Sequence, residues 1–350
     1  VPATRGDLKI GVIDLPTFYL DFDARSRGDR NYKSTTRDVR RIIKKLEAEN
    51  IDGLVIDLRG NGGGSLSEAT ELTGLFIKSG PVVQVRGTRG DIDAHEDDDD
   101  SVEYSGPLAV LVDHFSASAS EIFAGAIQDY GRGIVIGEPT FGKGTVQTLV
   151  DLNRFDRGET DLGQLKVTIA QFFRVNGDST QHRGIRPDIV YPTVIDDSEQ
   201  GERSLDNALP WAKVAPVGYE KVSQGYFNLN TLRSRHQARI AKDAGFNYLI
   251  DTAKSISALQ KQKSLSLSEK VRRNERNSRR VHALEMENKF RVSRGLEPLT
   301  LKDKDKEEED ELIEEEDNDP VRKIQLDEAA NILADYISLE RGNFAARPSR

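Results

Sequence analysis

The segment Gly53–Ser65, GLVIDLRGNGGGS, decides the fold of this 350-residue chain. Its first seven residues, GLVIDLR, are almost continuously apolar, as in parallel strands that are buried on both faces. Four glycines follow within Gly60–Gly64, and the apolar spacing then predicts a helix over Ser65–Lys78. A buried strand that passes through a glycine loop into a helix is typical of the strand–helix units of α/β proteins.

The same alternation of strands and helices continues on both sides of this segment. On the N-terminal side, a β-branched strand pattern at Lys9–Leu15 precedes helical spacing over Ser34–Glu49. On the C-terminal side the pattern predicts a helix at Ser118–Tyr130, together with strands at Val82–Arg86, Pro107–Val112, Gly133–Gly137, Val146–Leu152 and Gln164–Val175. The sequence therefore predicts an α/β unit with a largely parallel sheet.

Length and composition exclude several classes of protein. The length suggests about two folded units, and the net charge of −9 disfavours a nucleic-acid protein held by a basic surface. The absence of cysteine excludes a disulfide scaffold, thiolate zinc sites, Fe–S clusters and a cysteine nucleophile. No apolar stretch approaches the roughly 18 residues of a membrane helix. The chain begins at Val1 and its only methionine is Met286, so we expect a processed chain or a fragment.

The composition changes near Pro192, beyond which the chain is polar and helix-forming. An amphipathic helix is predicted over Ser264–Phe290, and a last helix over about Leu326–Leu339. Between them, the charge run Lys302–Asp319 has almost nothing to bury and is predicted to be a solvated linker.

A serine cluster, Ser116–Glu121 (SASASE), follows a buried strand and opens a helix. A serine there has its hydroxyl near free N–H groups and the positive end of the helix dipole, where negative charge is favoured. Most serines at helix starts are simply N-caps. The small neighbours, however, leave the approach to the hydroxyl open, which a nucleophile requires and a cap does not.

A nucleophilic serine needs a base, and two residues are candidates. His114, four residues before Ser118 at a strand end, would give a Ser-His-Asp arrangement, which nothing else in the sequence supports. Lys143, flanked by Gly142 and Gly144, would act as the neutral base of a Ser-Lys pair if burial lowered its pKa. The alternative for Lys143 is a surface lysine in a turn.

Two other chemistries are possible for these loops. Gly137, Gly142 and Lys143 fit the pattern G-x-x-x-x-G-K of a phosphate-binding loop, but Gly144 stands where a serine or threonine holds magnesium. The glycine loop Gly60–Gly64 could bind a phosphate, serve as an oxyanion hole, or be no more than a flexible turn.

Asp97–Asp100 lacks the spaced ligands of a calcium loop and is predicted to be a solvated hairpin tip.

Three motifs in register resemble the C-terminal processing peptidases, specifically their tail-specific protease branch. They are DLRGNGGGS, FSASASEIFAGAIQDYGR and GEPTFGKGTVQT, and the resemblance continues through RVNGDSTQHRGIRPDIVYPT to Pro192, then more weakly to the end. The resemblance implies a catalytic core over residues 1–195, of the crotonase/ClpP-like α/β type with repeated strand–helix units. It also implies a mainly helical extension over residues 196–350, containing the acidic linker 302–319.

The family consists of Ser-Lys endopeptidases that cleave proteins recognised by apolar C-terminal tails. By this resemblance Ser118 is the nucleophile, Lys143 is the general base, and Gln147 orients the lysine. No cofactor or metal ion is implied, because a neutral lysine replaces both histidine and metal.

The resemblance also assigns an oxyanion hole and a supporting residue. Gly63 or Gly64, together with the N–H of Ala119, would bind the oxyanion. Asp129, on the helix that Ser118 opens, matches an aspartate of the bacterial branch and is predicted to give structural support.

Family members usually carry a PDZ domain before the core, which we expect this chain to lack. The branch is exported to the periplasm, and its charged helical half is a candidate docking surface for an adaptor lipoprotein. An alternative from another class is an inactive core that serves as a binding module. The intact Ser118, Lys143 and Gln147 argue against it. Nucleotide hydrolysis is a third, disfavoured reading.

Overall fold

A computed structural model describes residues 8–155, 161–193, 201–222, 228–301 and 320–345, so the predicted linker 302–319 lies outside the described residues. The strands are β1 Ile10–Asp14, β2 Gly53–Asp57, β3 Gly80–Gly87, β4 Ile92–Asp97, β5 Leu108–Val112, β6 Ile134–Gly137, β7 Thr145–Asp151, β8 Gln164–Phe173 and β9 Ile189–Val190. The helices are α1 Phe22–Ser26, α2 Thr35–Ala48, α3 Leu66–Gly74, α4 Ala119–Asp129, α5 Leu229–Ile240, α6 Ala244–Gln260, α7 Glu269–Ser293 and α8 Pro320–Ala345. Within these ranges, no helix has the length and apolarity needed to cross a bilayer.

A five-stranded sheet in the order β1-β2-β5-β6-β9 forms the centre of the fold, and every neighbouring pair in it is parallel. The prediction of a mixed α/β fold with a parallel sheet and a helical C-terminal region is confirmed. Because the strands are parallel, β2, β5 and β6 all end at the same edge of the sheet. The loops that follow them therefore lie close together.

A second sheet, in the order β4-β3-β8-β7, is antiparallel, which the sequence pattern did not predict. Strand β4, IDAHED, is largely exposed and lacks the apolar alternation that would identify it. Asp97 ends β4 opposite Gly80 instead of standing at a hairpin tip, and the β3–β4 turn lies at residues 87–91. Burial raises the pKa of Asp97.

Side chains of the parallel strands alternate between two apolar layers. Leu54, Ile56 and Val110 face the side that carries α2, α3 and α4, whereas Val55 and Leu111 face α8. A parallel sheet needs cover on both faces, and α8 supplies it on the second. Helix α8 follows residue 195 in sequence yet packs on the sheet formed before it. The division of the chain at 195/196 stays a prediction.

Truncating Leu333 should test how much α8 contributes to the core. Leu333 is fully buried, and its side chain comes within 2.9 Å of the position that a Cβ would take at Gly53 in β2. Leu333→Ala is expected to lower the free energy of unfolding by about 2–5 kcal/mol through lost burial and a residual cavity. Urea denaturation measures this, with the exposed Lys323→Ala on the same helix as the control. Equal unfolding free energies for the two variants would contradict the packing.

Candidate active site

The loops after β2, β5 and β6 meet at the carboxyl edge of the parallel sheet, where open α/β sheets commonly bind ligands. The glycine loop Gly60–Gly64 follows β2, Ser118 follows β5 and opens α4, and Lys143 lies between β6 and β7. The structure thus brings together the predicted serine, lysine and glycine loop. Within the described ranges, no group of three or more carboxylate or imidazole side chains is arranged to hold a metal ion.

Ser118 adopts a backbone conformation that is unusual for a residue with a side chain. Its φ of 57° and ψ of −112° lie outside the regions that side-chain-bearing residues ordinarily occupy. Such strain, about 1–3 kcal/mol, is concentrated at functional sites. The Ser118 N–H donates to Glu121 Oε2 at 2.8 Å, whereas the N–H of Ala119 finds no acceptor among the described residues. This sharp turn leaves a partly exposed hydroxyl beside a free N–H donor.

The glycine loop packs directly against this turn. A Cβ at Gly63, where φ is 105°, would lie 2.8 Å from Ser118 Cβ and 3.0 Å from Ala119 N, so only glycine fits. The N–H of Gly63 donates to Asn61 Oδ1 at 2.8 Å, while that of Gly64 has no acceptor in the described part of the chain. Of the predicted oxyanion donors, Gly64 and Ala119 are therefore available and Gly63 is engaged.

Asp113, which sequence reasoning missed, braces the glycine loop against the serine turn. Its carboxylate accepts from the Gly60 N–H at 3.1 Å and from the Ser116 N–H at 3.0 Å. The Ser116 hydroxyl in turn donates to Leu58 O at 2.8 Å. The only sequence signal for this role is a polar residue directly after a buried strand.

Lys143 is half-buried, and its amine donates to Gln147 Oε1 at 3.0 Å. The role of Gln147 in orienting Lys143, which the resemblance implies, stays a prediction. The amine makes no hydrogen bond to the Ser118 hydroxyl in this structure. Catalytic hydrogen bonds are often long or misaligned before substrate binds, and a lysine side chain rotates readily.

The surroundings of Lys143 favour its neutral form. Burial lowers the pKa of its amine, and the positive charge of Lys166 lowers it further, against the opposing effect of Glu202 and Glu121. A lysine with a lowered pKa can accept a proton closer to neutrality than an exposed one.

Glu121 is the second residue that sequence reasoning missed, and it joins the two halves of the site. Its fully buried carboxylate accepts from the N–H groups of Ser118 (2.8 Å) and Lys143 (2.9 Å) through Oε2, and from Gly142 N–H (2.7 Å) and the Thr140 hydroxyl (2.6 Å) through Oε1. Burial raises the pKa of this carboxyl to about 7 in spite of these four donors. The available signal was the capping pattern S-x-x-E.

The other sequence candidates lie in different surroundings. Asp129 is at the opposite end of α4 from Ser118, about 16 Å away along the helix axis. There it accepts from Arg174 Nη2 at 2.7 Å and from Asn176 at 3.0 Å. His114 pairs through Nδ1 with Glu138 Oε2 at 2.8 Å.

Lys143 leads into strand β7, so the Gly137–Lys143 turn does not open a helix as a phosphate-binding loop does.

Comparison with known proteins gives matches along most of the chain. The model of peptidase family S41 matches residues 9–191, and that of the C-terminal domain of tail specific protease matches residues 195–338. The chain is 43% identical over 313 residues to the tail-specific protease of Haemophilus influenzae, covering 87% of this chain and 43% of that protein. It is 34% identical over 189 residues to the chloroplastic C-terminal processing peptidase of Tetradesmus obliquus, covering 54% of this chain and 36% of that protein.

Among solved structures, the photosystem II D1 C-terminal processing protease is similar, with 31% identity and a TM-score of 0.43 over 54% of this chain and 42% of that one. The chain spans less than half the length of these relatives. The peptidase model nevertheless covers more than half of the 350 residues and includes the strands and loops that hold Ser118 and Lys143. This chain belongs to peptidase family S41.

Proposed function

We propose that this chain is the catalytic part of a serine endopeptidase that cleaves proteins recognised by apolar C-terminal tails. One observation carries the proposal: a single buried carboxylate, that of Glu121, holds the backbone at both Ser118 and Lys143. A shared buried acceptor fixes the backbone of Ser118 and that of Lys143 in position relative to each other. Neither a helix cap nor a surface lysine requires such an arrangement.

In the proposed reaction, Lys143 acts first as base and then as acid. The neutral amine swings from Gln147 to the Ser118 hydroxyl and takes its proton while Oγ attacks the scissile carbonyl. The oxyanion accepts from the N–H groups of Gly64 and Ala119. Collapse of the intermediate breaks the C–N bond, and Lys143 gives its proton to the leaving amine. Water, deprotonated by Lys143, then hydrolyses the acyl-enzyme and regenerates Ser118.

The substrate class and location rest on the relatives. Their printed names describe tail-specific and C-terminal processing proteases, which supports a protein substrate selected by its C-terminus. Bacterial relatives support an extracytoplasmic, and more specifically a periplasmic, location. Docking of an adaptor lipoprotein on the helical extension, and structural support by Asp129, are parts of the same proposal.

Two peptides test the proposed specificity. They share one internal sequence, and one ends in apolar residues while the other ends in charged residues. We expect internal cleavage of the apolar-tailed peptide, detected by mass spectrometry, to exceed that of its partner at least tenfold in kcat/KM. Binding of the apolar-tailed peptide without any cleavage would favour the binding-module alternative instead.

Activity should rise with pH across about pH 5.5–8.5. Glu121, with its pKa raised to about 7, loses its proton in this range and then accepts from both backbone N–H groups. Lys143, whose pKa burial lowers, becomes neutral on the same alkaline side. Both deprotonations favour the active form, so kcat/KM should fall below about pH 7. An optimum on the acid side would contradict this assignment.

A further inference from the structure

Arg59, the residue directly before the glycine loop, is buried and bound on two sides. Its Nε and Nη2 both donate to the Asp57 carboxylate, and the distance from Nε to Oδ1 is 2.9 Å. Its Nη1 instead reaches helix α8, donating to Arg322 O at 2.7 Å and to Gln325 Oε1 at 3.0 Å. The planar guanidinium therefore joins the end of β2 to the C-terminal helix.

Helix α8 is firmly placed at this point. Gln325 is 8% exposed, and its backbone carbonyl accepts from the buried Tyr191 hydroxyl at 3.0 Å. Tyr191 follows β9 of the same parallel sheet. The acceptors that α8 presents to Arg59 are thus fixed against the sheet independently of Arg59 itself.

We propose that Gln325, in the C-terminal helix, is a positioning residue for the glycine loop: through Arg59 it sets where the loop places its N–H groups beside Ser118. This inference rests on the proposed function.

Nη1 of Arg59 carries two N–H bonds, and each has its own acceptor on α8. One is taken by the Arg322 carbonyl and the other by Gln325 Oε1. Without the Gln325 acceptor, a buried donor is left unsatisfied, and the guanidinium is free to tilt towards another partner. Arg59 is joined to Gly60 by one peptide bond, so a tilt displaces the start of the loop. Even a small displacement of the loop matters, because N–H donors stabilise a transition state only within narrow limits of distance and angle.

The test compares three substitutions in the full chain, with kcat and KM measured on the apolar-tailed peptide. Gln325→Met conserves volume but removes the acceptor, and it should lower kcat about tenfold while KM stays within about twofold. Gln325→Glu restores an acceptor for Arg59 and should keep kcat within about threefold of wild type. Leu333→Ala, on the same helix but away from Arg59, should lower the unfolding midpoint and leave kcat of the folded protein within about twofold.

Three outcomes overturn the inference. They are an unchanged kcat in Gln325→Met, a failure of Gln325→Glu to restore kcat, or an equal loss of kcat in Leu333→Ala. A separate measurement distinguishes failure of this inference from failure of the proposed function. If Ser118→Ala still cleaves the peptide, the serine mechanism itself fails, whatever the Gln325 variants do.

Discussion

Replacing Ser118 by alanine, or Lys143 by methionine, is expected to reduce kcat/KM for an apolar-tailed peptide by about ten-thousand-fold. Ser118→Ala removes the atom that attacks the carbonyl, and Lys143→Met removes the group that accepts and returns the proton. Because the two act in one step, the double variant should be no worse than either single variant. Peptide cleavage followed by mass spectrometry measures all three.

Lys166→Met is the matched control for the lysine. Lys166 lies on β8 opposite Leu149, and its charge lowers the pKa of the Lys143 amine without a role in proton transfer. Its loss should leave the maximal rate within about threefold and shift the rise in activity to higher pH. Near-normal cleavage by either Ser118→Ala or Lys143→Met would contradict the assigned pair.

Replacing Glu121 by glutamine is expected to have the second-largest effect. All four acceptor positions of the carboxylate are filled by donors, so an amide NH₂ must face an N–H or hydroxyl donor. We expect a loss of about 2–4 kcal/mol in the free energy of unfolding, because at least one buried donor becomes unsatisfied. We also expect at least a hundredfold loss in kcat/KM, because the Ser118 turn and the Lys143 loop lose their shared acceptor.

Glu138→Gln is the control for Glu121. Glu138 is also buried and lies at the same edge of the sheet, but among the described residues its side chain hydrogen-bonds to His114 alone, and His114 can change tautomer. This variant should stay within about 1 kcal/mol of wild type in stability and within a few-fold in activity. If Glu121→Gln lost no more stability and activity than Glu138→Gln, the Glu121 carboxylate would not be the group that positions Ser118 and Lys143.

Local patterns were enough to predict most of the parallel sheet and its helices. Residues 54–56 are apolar because β2 is covered on both faces. Helix α2 runs from Thr35 to Ala48 after the Ser34 cap, inside the predicted Ser34–Glu49. The positions of the serine, the lysine and the glycine loop followed from the same patterns, since each loop comes directly after a buried strand.

Roles set by long-range contacts could not be predicted in this way. Glu121 holds Lys143 across 22 positions of sequence, and Arg59 meets Gln325 across 266. In the sequence, Glu121 and Arg59 are ordinary charged residues, the first at the start of a helix and the second just after a strand. Strand β4 was missed for a different reason, because an exposed edge strand needs no apolar alternation.

The position of α8 also has a consequence for the order in which the protein is made. The last strand of the parallel sheet ends at Val190, whereas the helix that covers its second face begins at Pro320. A ribosome adding about 5–20 residues per second needs roughly 6 to 26 seconds to synthesise that interval. During this time one apolar face of the sheet has no cover from α8. Chaperone binding to nascent chains should therefore peak after residue 190 is translated and fall once α8 has emerged.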